Sequence, residues 1–182
     1  ITSGNEPIAL AGIIGGLSSS VTNTTKTILI ESAYFNPVTI RKSAKSLFLS
    51  TEASKRYERG VDPNGCMKAF NHVASLICDV TEGELVSDIV DKYPNIIISK
   101  TVSLRRSEID LVLGYHFNDK IINQILEDLE FKYTFKENTW KCVIPTFRPD
   151  IEREIDIIEE VARIAGFNAI PSDENIYGTF KY

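Results

Sequence analysis

The pattern of apolar and polar positions changes near residue 95, and the two parts of the chain predict different elements. Before that point, residues 7–14 and 27–35 are nearly continuous apolar runs, which predict buried strands, the first of them entering a turn. Residues 84–90 predict another strand. The composition break at 91–95 then separates this first part from a second one with shorter, regularly alternating elements.

Helix-start signals divide the first part further. A polar residue followed by proline, or a Ser-Thr-Glu run, supplies the oxygen that accepts the free N–H groups of a first helical turn. These signals predict three helices, which run from Asn36-Pro37 to about residue 47, from residues 50–52 to about Gly60, and from Asp62-Pro63 to about residue 79.

The second part predicts a compact unit of one strand, two helices, a hairpin and a final helix. The strand covers 96–103, the first helix ends at Gly114, and Asn118 caps the second. Strands over 131–136 and 140–145 form the hairpin, and Trp140 is expected to pack the core. The element order is that of a winged-helix-like module. The fold class predicted for the whole chain is α+β, a mixed α/β part followed by this small α+β unit.

The final helix is predicted from an acidic run at residues 150–160. Its apolar stripe is expected to be Ile151, Ile155, Ile158, Ala162 and Ala165, which recur at helical spacing. Asp156, Glu159 and Glu160 share another face, where three carboxylates repel one another. Arg163, a basic partner surface or a hard cation such as Mg²⁺ would relieve that repulsion. A plain solvated acidic face is the further alternative.

Charge and composition narrow the classes of function. The net charge of −5 argues against a dedicated nucleic-acid-binding protein. Residues 41–59 nevertheless hold six basic against two acidic side chains, which suits either a phosphate-facing surface or two solvated helices. Three separated cysteines and two histidines form no metal or disulfide motif, so we expect a reducing compartment. No apolar run reaches membrane-spanning length, and Ile1 at the start leads us to expect a piece of a longer polypeptide.

Two features of the first part suggest a ligand site without proving one. Gly12, Gly15 and Gly16 form a turn that allows close backbone approach to a ligand, or a plain tight turn; it is neither a dinucleotide fingerprint nor a P-loop. Glu31 interrupts an apolar run, so its carboxylate either reaches solvent at a strand end or points into a polar pocket.

Five segments, in this order, resemble the beta subunit of the bacterial phenylalanine–tRNA ligase family over nearly the whole chain. By this resemblance, residues 1–92 are the C-terminal part of a B3/B4 editing module, 96–170 are a B5 module, and 171–182 lead toward a next domain. The segments are Ala11–Gly16, Leu29–Pro37, Thr51–Pro63, Pro145–Glu152 and Glu159–Phe167.

The resemblance also implies a function. The family's enzyme is a cytoplasmic α2β2 heterotetramer that uses ATP and Mg²⁺ to attach phenylalanine to tRNA(Phe), with activation chemistry in the alpha subunit. This chain would then not aminoacylate alone, but would carry part of the site that hydrolyses mischarged Tyr-tRNA. The alternative is a non-catalytic winged-helix-like module that binds nucleic acid or a partner subunit.

Site residues follow from the resemblance, position by position. Glu31 corresponds to the residue that recognises the tyrosine hydroxyl, Ala53 to a small pocket wall, and Gly15 and Thr51 to other pocket positions. The family's editing histidine and an arginine lie upstream of Ile1, and no catalytic residue is assigned within this chain. A Mg²⁺ site shared with the alpha subunit falls on four carboxylates, which are Asp150, Asp156, Glu159 and Glu160.

Overall fold

The structure, a computed structural model, describes residues 1–171 and separates into two units, Ile1–Ile97 and Ile98–Tyr182. Helices and small sheets occur in both units, which confirms the predicted α+β class. From residue 172 onward, the predicted linker lies outside the described residues. No helix within residues 1–171 is both long and apolar enough to cross a membrane.

Unit 1 begins with two small hairpins, and three predicted strands are wrong. Strands β1 (Thr2–Ser3) and β2 (Glu6–Pro7) pair antiparallel, as do β3 (Ala9–Leu10) and β4 (Ile14–Gly15). The run at 7–14 is therefore a tight hairpin rather than one buried strand. Residues 27–35 and 84–90 form no strand. A strand needs a neighbour for its N–H and C=O groups, and apolar composition alone does not supply one.

Two helices of unit 1 begin at the predicted starts, and the third begins three residues later, after a 3₁₀ turn. Helix α1 spans Pro37–Ser46, α2 spans Glu52–Tyr57, and a 3₁₀ turn at Pro63–Gly65 leads into α3, Cys66–Thr81. The Asn36 side chain accepts the Thr39 N–H at 3.1 Å, and the Thr51 hydroxyl accepts the Ser54 N–H at 3.0 Å. All three predicted helices are confirmed, because each start depends only on neighbouring residues.

A small core holds α1, α2 and the β3–β4 turn together. Gly12 turns the chain with φ of +65°, and a Cβ at this position would lie 2.8 Å from both the Ile40 Cδ1 and the Phe35 ring. Glycine is therefore required here both by backbone conformation and by packing. The core consists of Ile13, Ile40 and Ala44, with Phe35, Leu49 and Tyr57 packed against it.

Helix α1 ends in a Schellman motif with an unusual residue at its centre. The Phe48 N–H donates to the Lys45 carbonyl at 3.2 Å, and the Leu49 N–H donates to the Ala44 carbonyl at 2.9 Å. This pattern places Phe48 at the left-handed position that glycine usually fills, with φ of +53°. Leu49 turns inward to the core, whereas the Phe48 side chain is 96% exposed.

Unit 2 has its elements in the predicted order. Its helices are α4 (Arg106–Leu113), α5 (Asp119–Asp128) and α6 (Glu154–Ala165), followed by a 3₁₀ turn at Phe167–Ala169. The antiparallel sheet places β7 (Thr139–Ile144) between β5 (Lys100–Arg105) and β6 (Lys132–Lys136). Glu137 and Asn138 both have positive φ, which is the conformation of a two-residue hairpin turn.

Trp140 lies at the centre of the unit 2 core, as predicted. Its side chain is fully buried and its indole N–H donates to the Asn123 side chain at 2.7 Å. The Arg106 guanidinium lies 4.8 Å from the ring centroid, and the Phe135 ring stacks at 4.3 Å. Arg106 also donates to the Phe117 carbonyl at 2.6 Å, so this buried cation fixes the chain between α4 and α5.

The apolar stripe predicted for α6 is wrong at Ile155, and Ile151 lies outside the helix. Ile151, Ile158 and Ala162 are buried, but Ile155 is 42% exposed, and Ile157 and Val161 pack into the core instead. The helix starts at Glu154 rather than directly after the Pro145–Pro149 bend. Ile151 therefore reaches the core from the preceding extended segment and does not define the helical phase.

Candidate functional site

In unit 1, one hydrogen bond joins the glycine turn to the start of α2. The Thr51 hydroxyl donates to the Ile13 carbonyl at 2.6 Å and accepts the Ser54 N–H at 3.0 Å. Ser54 is buried and its hydroxyl accepts the Thr51 N–H at 3.0 Å, which completes a capping box. Two of the four predicted pocket positions, Thr51 and Gly15, thus belong to segments that are directly bonded.

The three glycines of the turn differ in how closely neighbouring atoms approach them. Gly12 is required by packing, and a Cβ at Gly16 would lie 2.6 Å from the Ile8 carbonyl oxygen. At Gly15, by contrast, an added Cβ would meet nothing within 4 Å, and the residue is exposed without a positive φ. Packing therefore requires glycine at positions 12 and 16, whereas the space next to Gly15 is open.

Glu31 is exposed and lies in a segment without helix or strand. Its side chain makes no hydrogen bond with any residue of the described chain. The next residue is anchored, because the Ser32 hydroxyl donates to the Cys66 carbonyl at 2.8 Å. Burial raises the pKa of Tyr57, and the negative charge of Glu31 raises it further, so the carboxylate lies on the side of unit 1 that Tyr57 occupies.

Ala53 is exposed on the first turn of α2. Ala53 and Tyr57 are four residues apart in one helix, which places them on the same face. The Tyr57 ring packs edge-on against Phe35, with 5.0 Å between ring centroids. The charge of Glu31 therefore acts on Tyr57, and Ala53 lies on the same helix face as Tyr57. Thr51, by contrast, is hydrogen-bonded to the glycine turn.

The acidic helix of unit 2 is neutralised from within the chain. The Arg148 guanidinium donates to both Asp150 oxygens, at 2.6 and 2.9 Å at closest, and to Glu160 at 3.1 Å. Arg163 donates to Glu160 at 2.7 and 3.0 Å, which confirms one of the predicted partners. These bonds, first those from Arg163, lower the pKa of Glu160, a side chain that is only 10% exposed.

The other two carboxylates, Asp156 and Glu159, differ in their surroundings. Asp156 accepts the backbone N–H groups of Glu152 and Arg153 at 2.9 and 2.8 Å, so it caps the start of α6, and these bonds lower its pKa. Glu159 is exposed. Across residues 1–171, no three histidine, cysteine, aspartate or glutamate side chains form a group that could hold a metal ion. The four carboxylates do not fit a metal in this arrangement.

Arg148 is the residue that the sequence interpretation missed. It contacts Asp150 and Glu160 and lies 5.9 Å from the centroid of the Phe131 ring. The signal was present as Arg-Pro-Asp, because the proline between them fixes the backbone and brings a guanidinium and a carboxylate two residues apart to the same side. Arg148 and Glu160 are twelve residues apart in the sequence, so no local pattern predicts their contact.

Two families of domains match the chain. Residues 1–82 match the B3/4 domain, and residues 102–167 match the tRNA synthetase B5 domain. Among solved structures, an N-terminal fragment of the phenylalanyl-tRNA synthetase beta subunit from Pyrococcus horikoshii is 26% identical over 37% of this chain and 20% of that one. Its TM-score of 0.34 is too low to support a conclusion about the fold.

Curated relatives named phenylalanine–tRNA ligase beta subunit match nearly the full chain. That of Thermotoga maritima is 42% identical over 94% of this chain, that of Protochlamydia amoebophila 39% over all of it, and that of Salinibacter ruber 40% over 97%. The chain spans 22%, 23% and 21% of these relatives, respectively. The chain is therefore a B3/4–B5 segment that belongs to the phenylalanine–tRNA ligase beta-subunit family.

Proposed function

We propose that this chain carries part of a proofreading site that hydrolyses tyrosine wrongly attached to tRNA(Phe). Residues 1–92 would be the C-terminal part of the editing module, and 96–170 the B5 module. The complete enzyme would be a cytoplasmic α2β2 ligase in which the alpha subunit uses ATP and Mg²⁺ to join phenylalanine to tRNA. The observation that carries the proposal is the bond from Thr51 to Ile13, beside the open space at Gly15.

A second site is needed because the two amino acids differ by one hydroxyl group. An apolar pocket shaped for phenylalanine rejects that added hydroxyl poorly, so discrimination requires a group that binds it. The exposed Glu31 carboxylate, without a hydrogen-bond partner among residues 1–171, is suited to accept a phenolic O–H. Ala53, small and exposed, would leave room for the ring.

The hydrogen bonds of Thr51 limit the role that its hydroxyl could have in hydrolysis. Its O–H already donates to the Ile13 carbonyl, and its oxygen accepts the Ser54 N–H. A hydroxyl held in this way has no adjacent base to activate it as a nucleophile. We therefore assign Thr51 a positioning role and infer that water attacks the ester of Tyr-tRNA, aided by groups from the rest of the subunit.

The proposal is tested by filling the pocket. In the assembled enzyme, Gly15→Val and Ala53→Val should each slow Tyr-tRNA hydrolysis by at least tenfold and leave phenylalanine attachment unchanged. Ala169→Val is the control, because Ala169 is an exposed alanine in unit 2. Wild-type hydrolysis rates in both pocket variants would contradict the assignment.

The magnesium assignment to Asp150, Asp156, Glu159 and Glu160 is a separate proposal for the complex with the alpha subunit. Arg148, Arg153 and Arg163 occupy three of these carboxylates and would have to move. Titration of the complex with Mg²⁺ tests it: Asp156→Ala and Glu160→Ala should abolish the response. An unchanged titration removes the assignment.

A nucleic-acid-binding role for unit 2 alone is less well supported. Most phosphate contacts are made by free lysine or arginine side chains. In unit 2, several of these cations are already paired with carboxylates. The pairs are Lys100–Glu152, Arg105–Glu154, Arg148–Asp150 and Arg163–Glu160.

A further inference from the structure

The α1–α2 connection exposes an aromatic ring on a hydrogen-bonded backbone. Phe48 is 96% exposed, yet its backbone is held by the two Schellman hydrogen bonds and by the buried neighbour Leu49. Leu29 is as exposed as Phe48, but it lies in a segment without helix or strand. The fold thus fixes the backbone that carries the exposed Phe48 ring.

The left-handed backbone of Phe48 is unfavourable for a bulky side chain. The end of α5 has the same motif, with the Glu130 N–H bonded to Glu127 and the Phe131 N–H bonded to Leu126. There the left-handed residue is a glutamate, which water solvates well, and the phenylalanine that follows is buried. The fold therefore does not require an aromatic side chain at this position.

The surface around Phe48 is basic. Arg41 and Lys45 lie one turn apart on α1, and Phe48 follows Lys45 by three residues. Arg41, Lys42 and Lys45 are exposed and make no ion pair with any carboxylate of residues 1–171. Helix α2, which packs against α1, carries Arg56, and Arg59 follows two residues after its end. The segment 41–59 carries six basic and two acidic side chains.

We propose that Phe48, Arg41 and Lys45 form a binding surface for single-stranded nucleic acid, in which an unpaired base stacks on Phe48 and phosphates contact the cations. Proteins that hold single strands combine these two features, an aromatic platform and unpaired basic side chains. An acidic peptide would use the cations but offers no flat face to the ring. The proposal goes beyond the proposed function, because it assigns a surface that would hold an unpaired segment of RNA. It does not depend on the editing pocket.

The test measures equilibrium binding of a fluorescein-labelled 12-nucleotide single-stranded RNA to the full 182-residue chain. Phe48→Gly should weaken binding by about 5- to 150-fold, since this is the range expected when one base no longer stacks. Glycine suits a left-handed backbone, so the same variant should unfold at a higher urea concentration than the wild type. Stability and binding would then change in opposite directions.

Two further variants separate stacking from charge. Arg41→Ala with Lys45→Ala should reduce the slope of log Kd against log salt by about 1.4, or about 0.7 for each phosphate that a cation no longer neutralises. Phe167→Ala changes an exposed phenylalanine in unit 2 and should leave RNA binding unchanged. Because no hydrolysis is measured, failure here is distinguishable from failure of the proofreading proposal.

Three results would overturn the proposal. The first is no RNA binding by the wild type at low salt, and the second is an affinity of Phe48→Gly within twofold of the wild type. The third is tighter, Phe48-dependent binding of a poly-glutamate peptide than of RNA, which would indicate an acidic protein partner.

Discussion

The Thr51 hydroxyl and the Ile13 carbonyl oxygen form a 2.6 Å hydrogen bond across 38 residues of sequence. It fastens the turn that carries Gly15 to the first residue before α2. The same hydroxyl caps that helix, so one side chain sets both the position of the turn and the start of the helix. The bond joins the segments that carry Gly15 and Thr51, two of the four residues proposed for the editing pocket.

Thr51→Val should lower the free energy of unfolding of unit 1 by about 2 kcal/mol. The change removes a helix cap, about 1 kcal/mol, and leaves the Ile13 carbonyl without its donor, which costs a further 1 kcal/mol or more. Urea unfolding followed by far-ultraviolet circular dichroism measures this loss. Thr51→Ser keeps the hydroxyl and should stay within about 0.5 kcal/mol of the wild type; equal losses in both variants would contradict the role of the hydroxyl.

Gly12→Ala and Gly15→Ala form a matched pair in one turn. The first should destabilise the protein by about 2–4 kcal/mol, because it adds left-handed strain and a methyl group 2.8 Å from Ile40 and Phe35. The second meets open space and should change stability by less than about 0.5 kcal/mol. Thermal unfolding of both variants checks the difference. Similar melting temperatures would show that the turn is not packed as described.

The sequence predicted what depends on neighbouring residues and missed what depends on distant ones. The helix starts predicted at Asn36, at residues 50–52 and at Asn118 depend on local sequence, and helices begin at all three. The run at 27–35 has the composition of a strand, but strands form by pairing, and no partner is present in residues 1–97.

The candidate sites followed the same rule. Resemblance supplied Gly15, Glu31, Thr51 and Ala53, but no pattern revealed that Thr51 bonds the Ile13 carbonyl. On the acidic helix, the sequence predicts repulsion among carboxylates and offers Arg163 as one group that relieves it, and Arg163 does bind Glu160. The second partner, Arg148, lies in the bend before the helix, twelve residues from Glu160, so no local pattern predicts the contact.

Acid should selectively weaken unit 2 through Glu160. Its pKa in the folded protein lies below the ordinary value of 4.5, so its ion pairs stabilise the fold fully above that pH and are lost as pH falls through the lowered value. Glu160→Gln should therefore reduce the free energy of unfolding by about 1–3 kcal/mol at pH 7, and by progressively less below pH 4.5. Trp140 fluorescence during urea unfolding provides the measurement.

Glu159→Gln is the control for that experiment. Glu159 neighbours Glu160 but is exposed, so its loss should change stability by less than about 0.5 kcal/mol at either pH. If the two variants show the same pH dependence, the network of Arg148 and Arg163 around Glu160 does not stabilise the fold.

Cys142 should be unreactive until unit 2 unfolds. It is fully buried in β7, and burial raises the pKa of its thiol to about 12, so almost no thiolate exists at pH 8. Iodoacetamide treatment of the native chain, followed by peptide mass spectrometry, should label Cys78 before Cys142, since Cys78 is partly exposed. Rapid native labelling of Cys142 would show that the core around Trp140 opens readily.

The proofreading role is tested most directly by Glu31→Ala in the proposed α2β2 enzyme, with the hydrolysis rates of Tyr-tRNA and Phe-tRNA compared. Because Glu31 is exposed and makes no hydrogen bond within residues 1–171, the variant should fold normally. Loss of one hydrogen bond to a charged group predicts a fall of tenfold or more in the preference for Tyr-tRNA. A preference equal to that of the wild type would contradict the proofreading role.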